Sequence, residues 1–449
     1  MDDNKKRIEI KTIIYFIVII IIILIGRYIY CKYNFYDYLK AVREEGKTSF
    51  TRDSSVVYSD MDSYKIENKD YNDAFFYKEI SVEPYTAYKV TCMVKTENVE
   101  NQEGKITGGA QISINNSIEC SRALTGTNDW TELTFMFNSN NRTSVELGFR
   151  LGGYEDYSKG TVWFSDFKIE EGSMDYDTNW NIACFIIDNI ETTLTEGDKA
   201  GTSVDIEVSS DDISTIRKDL SRLENSVKEI SGDRMNITYD LIEIKDTLTT
   251  LSYDETNKYY AGPKDVYPLI DEYIQKEEYD YIFVVVRFGD LSKSNETLVD
   301  DWIGLGSMEY DQIGYSNIRL PDDRDSKIYE YSSNNRFPEE AFIHELLHTL
   351  ERNEIENGND IAELHDYANY GYKQDSVYGL KEWYIDYMQN TIDGGENKGL
   401  TEFSYKSKPI HESNFNYPIE LDDLDEPDNI IEEISSIIRR VVRLFNKEA

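Results

Sequence analysis

Hydrophobic and polar positions follow three rhythms along this chain, and the changes of rhythm divide it. An unbroken apolar run fills positions 13–25 and, extended over 12–31 with Arg27 able to lift its charge to the interface, is long enough to cross a bilayer. Lys5, Lys6, Arg7 and Lys11 precede it and no small-residue cleavage site follows. The pattern predicts an uncleaved signal anchor: residues 1–11 cytoplasmic, 12–31 a single-pass transmembrane helix, and the bulk of the chain outside the cytoplasm at the cell membrane. Residues 32–50 read as a polar, partly helical stalk. From 51 to 172 the period is two, in runs at 88–95, 111–114, 131–137, 145–151 and 161–169 with Gly, Asn and Asp between them, which predicts an all-β sandwich.

Beyond a short joint the rhythm is mixed, and residues 181–400 are expected to form an α+β domain. Positions 182–190 and 281–287 are strongly apolar strands, 237–244 is a further strand, and 266–275 looks helical. Ile213, Ile216, Leu220, Leu223, Val227 and Ile230 recur at helical spacing. The stretches 302–307 and 314–318 carry Gly304, Gly306 and Gly314 and are either turns or strands at a sheet rim, where an edge strand could bind extended peptide. Residues 379–390 read as a helix with Met388 in the core. Residues 401–449 read as an acidic loop and an amphipathic helix whose apolar face holds Ile430, Ile434, Ile437, Val441 and Phe445.

Charge narrows the partners. With 86 acidic and 47 basic residues the net charge is −39. Phosphate binding needs a basic patch, none is visible, and nucleic acid is excluded as a partner. Four cysteines, Cys31, Cys92, Cys120 and Cys184, do not make a disulfide framework, although Cys92 and Cys120 could pair in an oxidising compartment.

The chemistry concentrates in one window. Three of the four histidines fall between positions 344 and 365, and His344-Glu345-Leu346-Leu347-His348 is an H-E-x-x-H motif. Pro338 suits a first helical turn, Glu339 and Glu340 meet the positive end of the dipole, and Phe342, Ile343, Leu346, Leu347 and Leu350 supply apolar faces. On that helix residues four apart point the same way, so His344 and His348 can grip one Zn2+ per chain, with Glu345 beside them as the proton acceptor. A catalytic site needs a third protein ligand. His365 is favoured, Glu363 is the alternative, and Glu354 is a more distant candidate. Asp366 could orient a ligand ring, and Tyr370 or Tyr372 could hydrogen-bond an oxyanion.

The motif resembles the zincin metallopeptidases. The metzincin extension breaks after the second histidine, where Glu351 stands at the glycine position and Glu354 at the third-histidine position; Glu363 resembles the ligand that gluzincins take from a downstream helix. The β region resembles the jelly-roll carbohydrate-binding modules of families 4 and 9. The likeness rests on Pro84-Tyr85-Thr86-Ala87-Tyr88-Lys89-Val90, on Asp129-Trp130-Thr131-Glu132-Leu133, and on Gly160-Thr161-Val162-Trp163-Phe164-Ser165-Asp166-Phe167. It implies a core position for Trp130, a possible carbohydrate ligand, and a possible Ca2+ with Asp166 as a candidate. Together the two resemblances imply a membrane-anchored zinc metalloendopeptidase acting on peptide or glycoprotein substrates. The alternative is a non-catalytic, carbohydrate-binding surface adhesin or scaffold whose zinc site is degenerate or structural.

Overall fold

The computed structural model describes residues 39–102, 108–154, 156–174, 176–289, 297–299, 302–320 and 336–415. The expected membrane anchor and the C-terminal amphipathic helix lie outside them. Among the described residues no helix is long and apolar enough to cross a membrane. The chain divides into two compact units, one holding most of residues 39–170 and the other essentially residues 171–415.

The first unit is a two-sheet β-sandwich built from β1 (Leu39–Val42), β2 (Thr48–Tyr58), β3 (Met61–Asn72), β4 (Ala74–Ser81), β5 (Ala87–Asn101), β6 (Gly109–Ile114), β7 (Gly126–Asn138), β8 (Ser144–Gly152) and β9 (Ser158–Gly172). One sheet runs β1-β4-β8-β6 and the other β2-β3-β9-β5-β7. Alternate residues point inward, so Val90, Cys92 and Val94 of β5 meet Leu147, Phe149 and Leu151 of β8 in one core.

Two expectations are corrected here. Of the segment expected to be a partly helical stalk, residues 32–38 lie outside the described residues, and the described part holds strands, not helix: β1 pairs with β4 from Leu39↔Tyr77 to Val42↔Ala74, and β2, from Thr48, pairs with β3. Both lie at sheet edges, where one side of each strand has no partner among the described residues and exposed polar side chains blur the period of two. Trp130 is not core. Leu133, Phe135 and Phe137 point inward from β7, so the opposite parity carries Trp130 to the outer face. There it is partly buried against Tyr58, with ring centroids 5.6 Å apart. Asp166 pairs with Lys168 at 3.1 Å, and Cys92, Cys120 and Cys184 are free thiols.

The second unit is a mixed sheet between helices. Its strands are β10 (Asn179–Thr193), β11 (Ser203–Glu207), β12 (Asn236–Leu248), β15 (Tyr281–Val286), β16 (Gly304–Tyr310) and β17 (Ile313–Arg319), with a small hairpin of β13 (Ser252–Asp254) and β14 (Lys258–Tyr260). The helices are α1 (Ser210–Ser231), α2 (Pro263–Ile274), α3 (Glu340–Glu356), α4 (Lys381–Gln389) and the short α5 (Glu402–Lys406). The sheet order is β11-β10-β15-β17-β16, with β12 also paired to β10. Strands β12, β15 and β17 pair in parallel within it, and β16 closes the edge antiparallel to β17. The glycine-bearing stretches are therefore strands, not turns.

Both faces of the sheet are covered, which is why β15 is buried at every position. Cys184, Ile186, Phe283 and Val285 pack on the side of α1, α3 and α4, while Phe185, Ile187, Ile282 and Val284 pack on the side of α2. Helix α1 starts at a Ser209/Asp212 capping box and stops at Gly232, whose φ of +65° is a left-handed cap. This layering lays α3 across the sheet near its β16 edge.

Candidate metal centre

Helix α3 buries Phe342, Ile343, Leu346, Leu347 and Leu350 in the core, and that fixes its rotation. His344, Glu345 and His348 are thereby turned to β16. A 3-10 turn at Leu364–Tyr370 brings His365 to the same place. One ligand atom from each of His344, His348 and His365 lies within 4.8 Å of the others. The Nε2 atoms of His344 and His365 are 3.1 Å apart, and the His348 ring centroid is 4.7 Å and 4.8 Å from theirs.

The far side of two rings is occupied. His344 Nδ1 lies 2.9 Å from the Tyr384 hydroxyl, and His348 Nδ1 lies 3.0 Å from Glu351 Oε2. In the tautomer whose Nδ1–H donates to these oxygens, the unprotonated Nε2 offers its lone pair for a metal, as a ligating imidazole requires. Burial, then the neighbouring His348 and His365, lowers the His344 pKa to about 3, and burial lowers that of His365. Both shifts favour the neutral imidazole, the form that binds a metal. Three imidazole nitrogens around one point fit zinc.

Glu345 is 4% exposed, and burial raises its pKa to about 7 against the opposing pull of His348 and the Gly306 N–H. The β16 backbone crosses directly over it. A Cβ on Gly304 would stand 2.5 Å from Glu345 Cγ, and one on Gly306 would stand 2.6 Å from Oε2. The register of β16 on β17 shifts between Leu305 and Met308, and Ser307 has a φ of +58°. This bulge bends the edge toward the helix. A cleft of 510 Å³ opens here between residues 302–307 of the edge and His344, Glu345, His348, Glu340 and Tyr384.

The other expected residues lie elsewhere. Glu363 is exposed and its carboxylate is outside the histidine group; Glu354 is buried and accepts from Thr401 N at 2.7 Å. Asp366 bonds the Asn369 amide at 2.7 Å instead of a ligand ring. Tyr370 stacks on Trp383, and the Tyr372 hydroxyl donates to Asp386 at 2.7 Å, so neither phenol faces the cluster. Their ring neighbours on α4 draw them away. Among the described residues, the side chains outside the cluster that hydrogen-bond its histidine rings are Tyr384 and Glu351. Glu351 was legible in principle, three residues beyond His348 on one helical face. Tyr384, one of 35 tyrosines, carried no local signal.

Behind Tyr384 sits Glu340, raised to about 7 by burial, taking the Leu380 N–H at 2.8 Å and the Tyr384 hydroxyl at 3.4 Å. Gly379, at φ +56°, leaves the space that this carboxyl group fills.

No family model matches the chain, and no curated protein matches it. Solved structures similar to part of it include the N-terminal CBM22-1 and GH10 modules of a Clostridium thermocellum endo-1,4-β-D-xylanase with xylohexaose, at 12% identity and TM-score 0.23 over 32% of this chain and 30% of that one. A family 4 carbohydrate-binding module is similar at 16% identity and TM-score 0.20, over 29% of this chain and 86% of that one. The CBM22-1 xylan-binding domain of Paenibacillus barcinonensis Xyn10C is similar at 12% identity and TM-score 0.21, over 29% and 85%. The chain thus spans less than a third of the xylanase structure.

Proposed function

We propose that the second unit is a zinc-dependent hydrolase of the metallopeptidase type. The observation that carries this reading is the convergence of His344, His348 and His365 on one point beside the buried carboxyl group of Glu345, in a cleft bounded by an edge strand. Zinc held by the three histidines would supply a Lewis acid that polarises a carbonyl and lowers the pKa of water. Glu345 is the group that takes the proton from the attacking water and hands it to the leaving amine. Its raised pKa suits both transfers near neutrality. Strand β16 offers its outer backbone edge, on which an extended peptide can add as one more strand. Tyr384 and Glu351 hold the rings of His344 and His348 in their ligating orientation.

The test is zinc content per chain together with cleavage of a broad peptide mixture, for the wild type and Glu345→Gln. One zinc per chain with cleavage lost in the variant supports the reading. Zinc without cleavage in either protein removes the peptidase claim, and no zinc removes the metal centre.

A second reading concerns the sandwich, and the Tyr58–Trp130 pair on its outer face favours it. Partly exposed aromatic rings are what a sugar face stacks on. In this reading the chain is a carbohydrate-binding surface protein, with or without catalysis in its other unit. Affinity electrophoresis in a panel of soluble polysaccharides, comparing wild type with Trp130→Ala, decides it: retardation lost in the variant supports it, and no retardation of the wild type removes it.

A further inference from the structure

Of the three histidines, His365 is the most exposed and stands on a short 3-10 turn instead of a long helix. Its place is set by the backbone just before it. The Leu364 N–H donates to Glu351 Oε1 at 2.5 Å, and the Leu364 carbonyl accepts from Trp383 Nε1 at 2.8 Å. The other oxygen of the same Glu351 carboxylate takes the Nδ1 side of His348. One carboxylate thus spans two ligands that are far apart in local structure: His348 one turn back on α3, and His365 through its preceding peptide.

We infer that Glu351 is a positioning residue that sets the second and third zinc ligands together, its two oxygens dividing the task. The inference rests on the zinc reading above and adds to it a residue that touches neither metal nor substrate. The geometry favours this role over a merely packed carboxylate. Glu351 is 9% exposed, and among the described residues its carboxyl group meets no lysine or arginine; its oxygens bond the His348 imidazole and the Leu364 N–H. A carboxylate kept in such a place without a cationic partner costs stability unless those two bonds return it. A ligand ring polarised by a carboxylate is also the more basic donor.

The amide of Glu351→Gln separates the two halves of the task. Its oxygen can still accept from Leu364, while its NH2 group cannot accept from His348 Nδ1. Glu351→Ala removes both. The experiment is zinc affinity by competition with a chromophoric chelator, using the full chain, zinc alone as the probe, and the variants Glu351→Gln, Glu351→Ala, His365→Ala and Glu351→Ala/His365→Ala. The expected loss is about 10-fold to 100-fold for each orienting contact removed, so Glu351→Ala falls below Glu351→Gln. The penalty of Glu351→Ala must also shrink in the His365→Ala background, because half of its role has no ligand left to act on. A merely structural glutamate would give no such coupling.

Wild-type affinity in Glu351→Ala overturns the inference, as does a penalty fully additive with His365→Ala. Should Glu351→Ala not fold without metal, the near-isosteric Glu351→Gln decides: unchanged affinity there overturns the division of labour. A wild-type chain that binds no zinc fails earlier, at the zinc reading itself, and is told apart by that result.

Discussion

Gly306→Ala places one methyl group against the carboxylate on which the proposed chemistry depends. The new Cβ would lie 2.6 Å from Glu345 Oε2 and 3.1 Å from the Glu345 carbonyl oxygen. Ordinary C···O contact begins near ~3.3 Å, so Oε2 must retreat by about 0.7 Å. The carbonyl cannot share that movement, because it is backbone of α3 and is held by the Tyr281 hydroxyl at 2.9 Å. The side chain therefore turns away from the histidines, and the Gly306 N–H that steadies it is lost. A misplacement approaching ~1 Å costs about 100-fold in rate, or roughly 2.7 kcal/mol of barrier. Gly304→Ala, whose Cβ would stand 2.5 Å from Glu345 Cγ, is expected to do the same.

The assay is kcat/KM on the best-cleaved member of the peptide mixture, with zinc affinity and thermal midpoint measured on the same samples. The expected pattern is a rate loss of about 100-fold at unchanged zinc affinity. Cleavage at the wild-type rate would refute the reasoning. Loss of zinc alongside activity would also refute it, since the strand and not the glutamate would then have moved.

Two further outcomes test the scaffold. Burial, then the adjacent Glu339 carboxylate, raises Asp219 on α1 to about 7, above its unfolded value near ~3.9. The folded state then holds an extra proton between those values, so this group's contribution falls as pH rises through the window and is poorest above it. Asp219→Asn should be more stable than wild type at pH 8 by on the order of 1–3 kcal/mol, with the difference vanishing near pH 4; urea midpoints at the two pH values measure it, and a constant difference would contradict it. Leu347→Ala, fully buried on α3, should cost about 2–5 kcal/mol, whereas Ile355→Ala on the same helix, 51% exposed, should cost under about 0.5 kcal/mol; denaturant titration compares them, and equal costs would contradict the packing of α3 described above.

What the sequence disclosed, and what it hid, follows from the range of the forces involved. The rotation of α3 was readable because its apolar residues and its two histidines obey one local period. The buried strands β10 and β15 announced themselves as continuous apolar runs. Strands β1 and β2 did not, since edge strands keep polar residues on their open side and their pairing with β4 and β3 leaves little trace in their own letters. Trp130 was misplaced by resemblance, although the parity of Leu133, Phe135 and Phe137 already pointed it outward. Tyr370 and Tyr372 sit close to His365 in sequence yet are taken by Trp383 and Asp386, whereas Tyr384, farther along, reaches His344. The role of Gly304 and Gly306 depends on a glutamate some forty positions away, and no local pattern encodes such an approach.

The strand order sets a timetable for synthesis. Strand β10 must find β12 and β15 in parallel register, each across a long connection, before the sheet has a centre. Such non-local pairing is slow compared with helix formation. The edge strand, α3, the 3-10 turn and α4 all follow it in the chain, within residues 304–389. A ribosome therefore delivers the slow-forming platform before the three site histidines and α4. When His365 emerges the strands of that platform have all been made, whereas Trp383 and Tyr384 of α4, which hold the Leu364 carbonyl and the His344 ring, still have to follow, so the zinc-binding set is completed last.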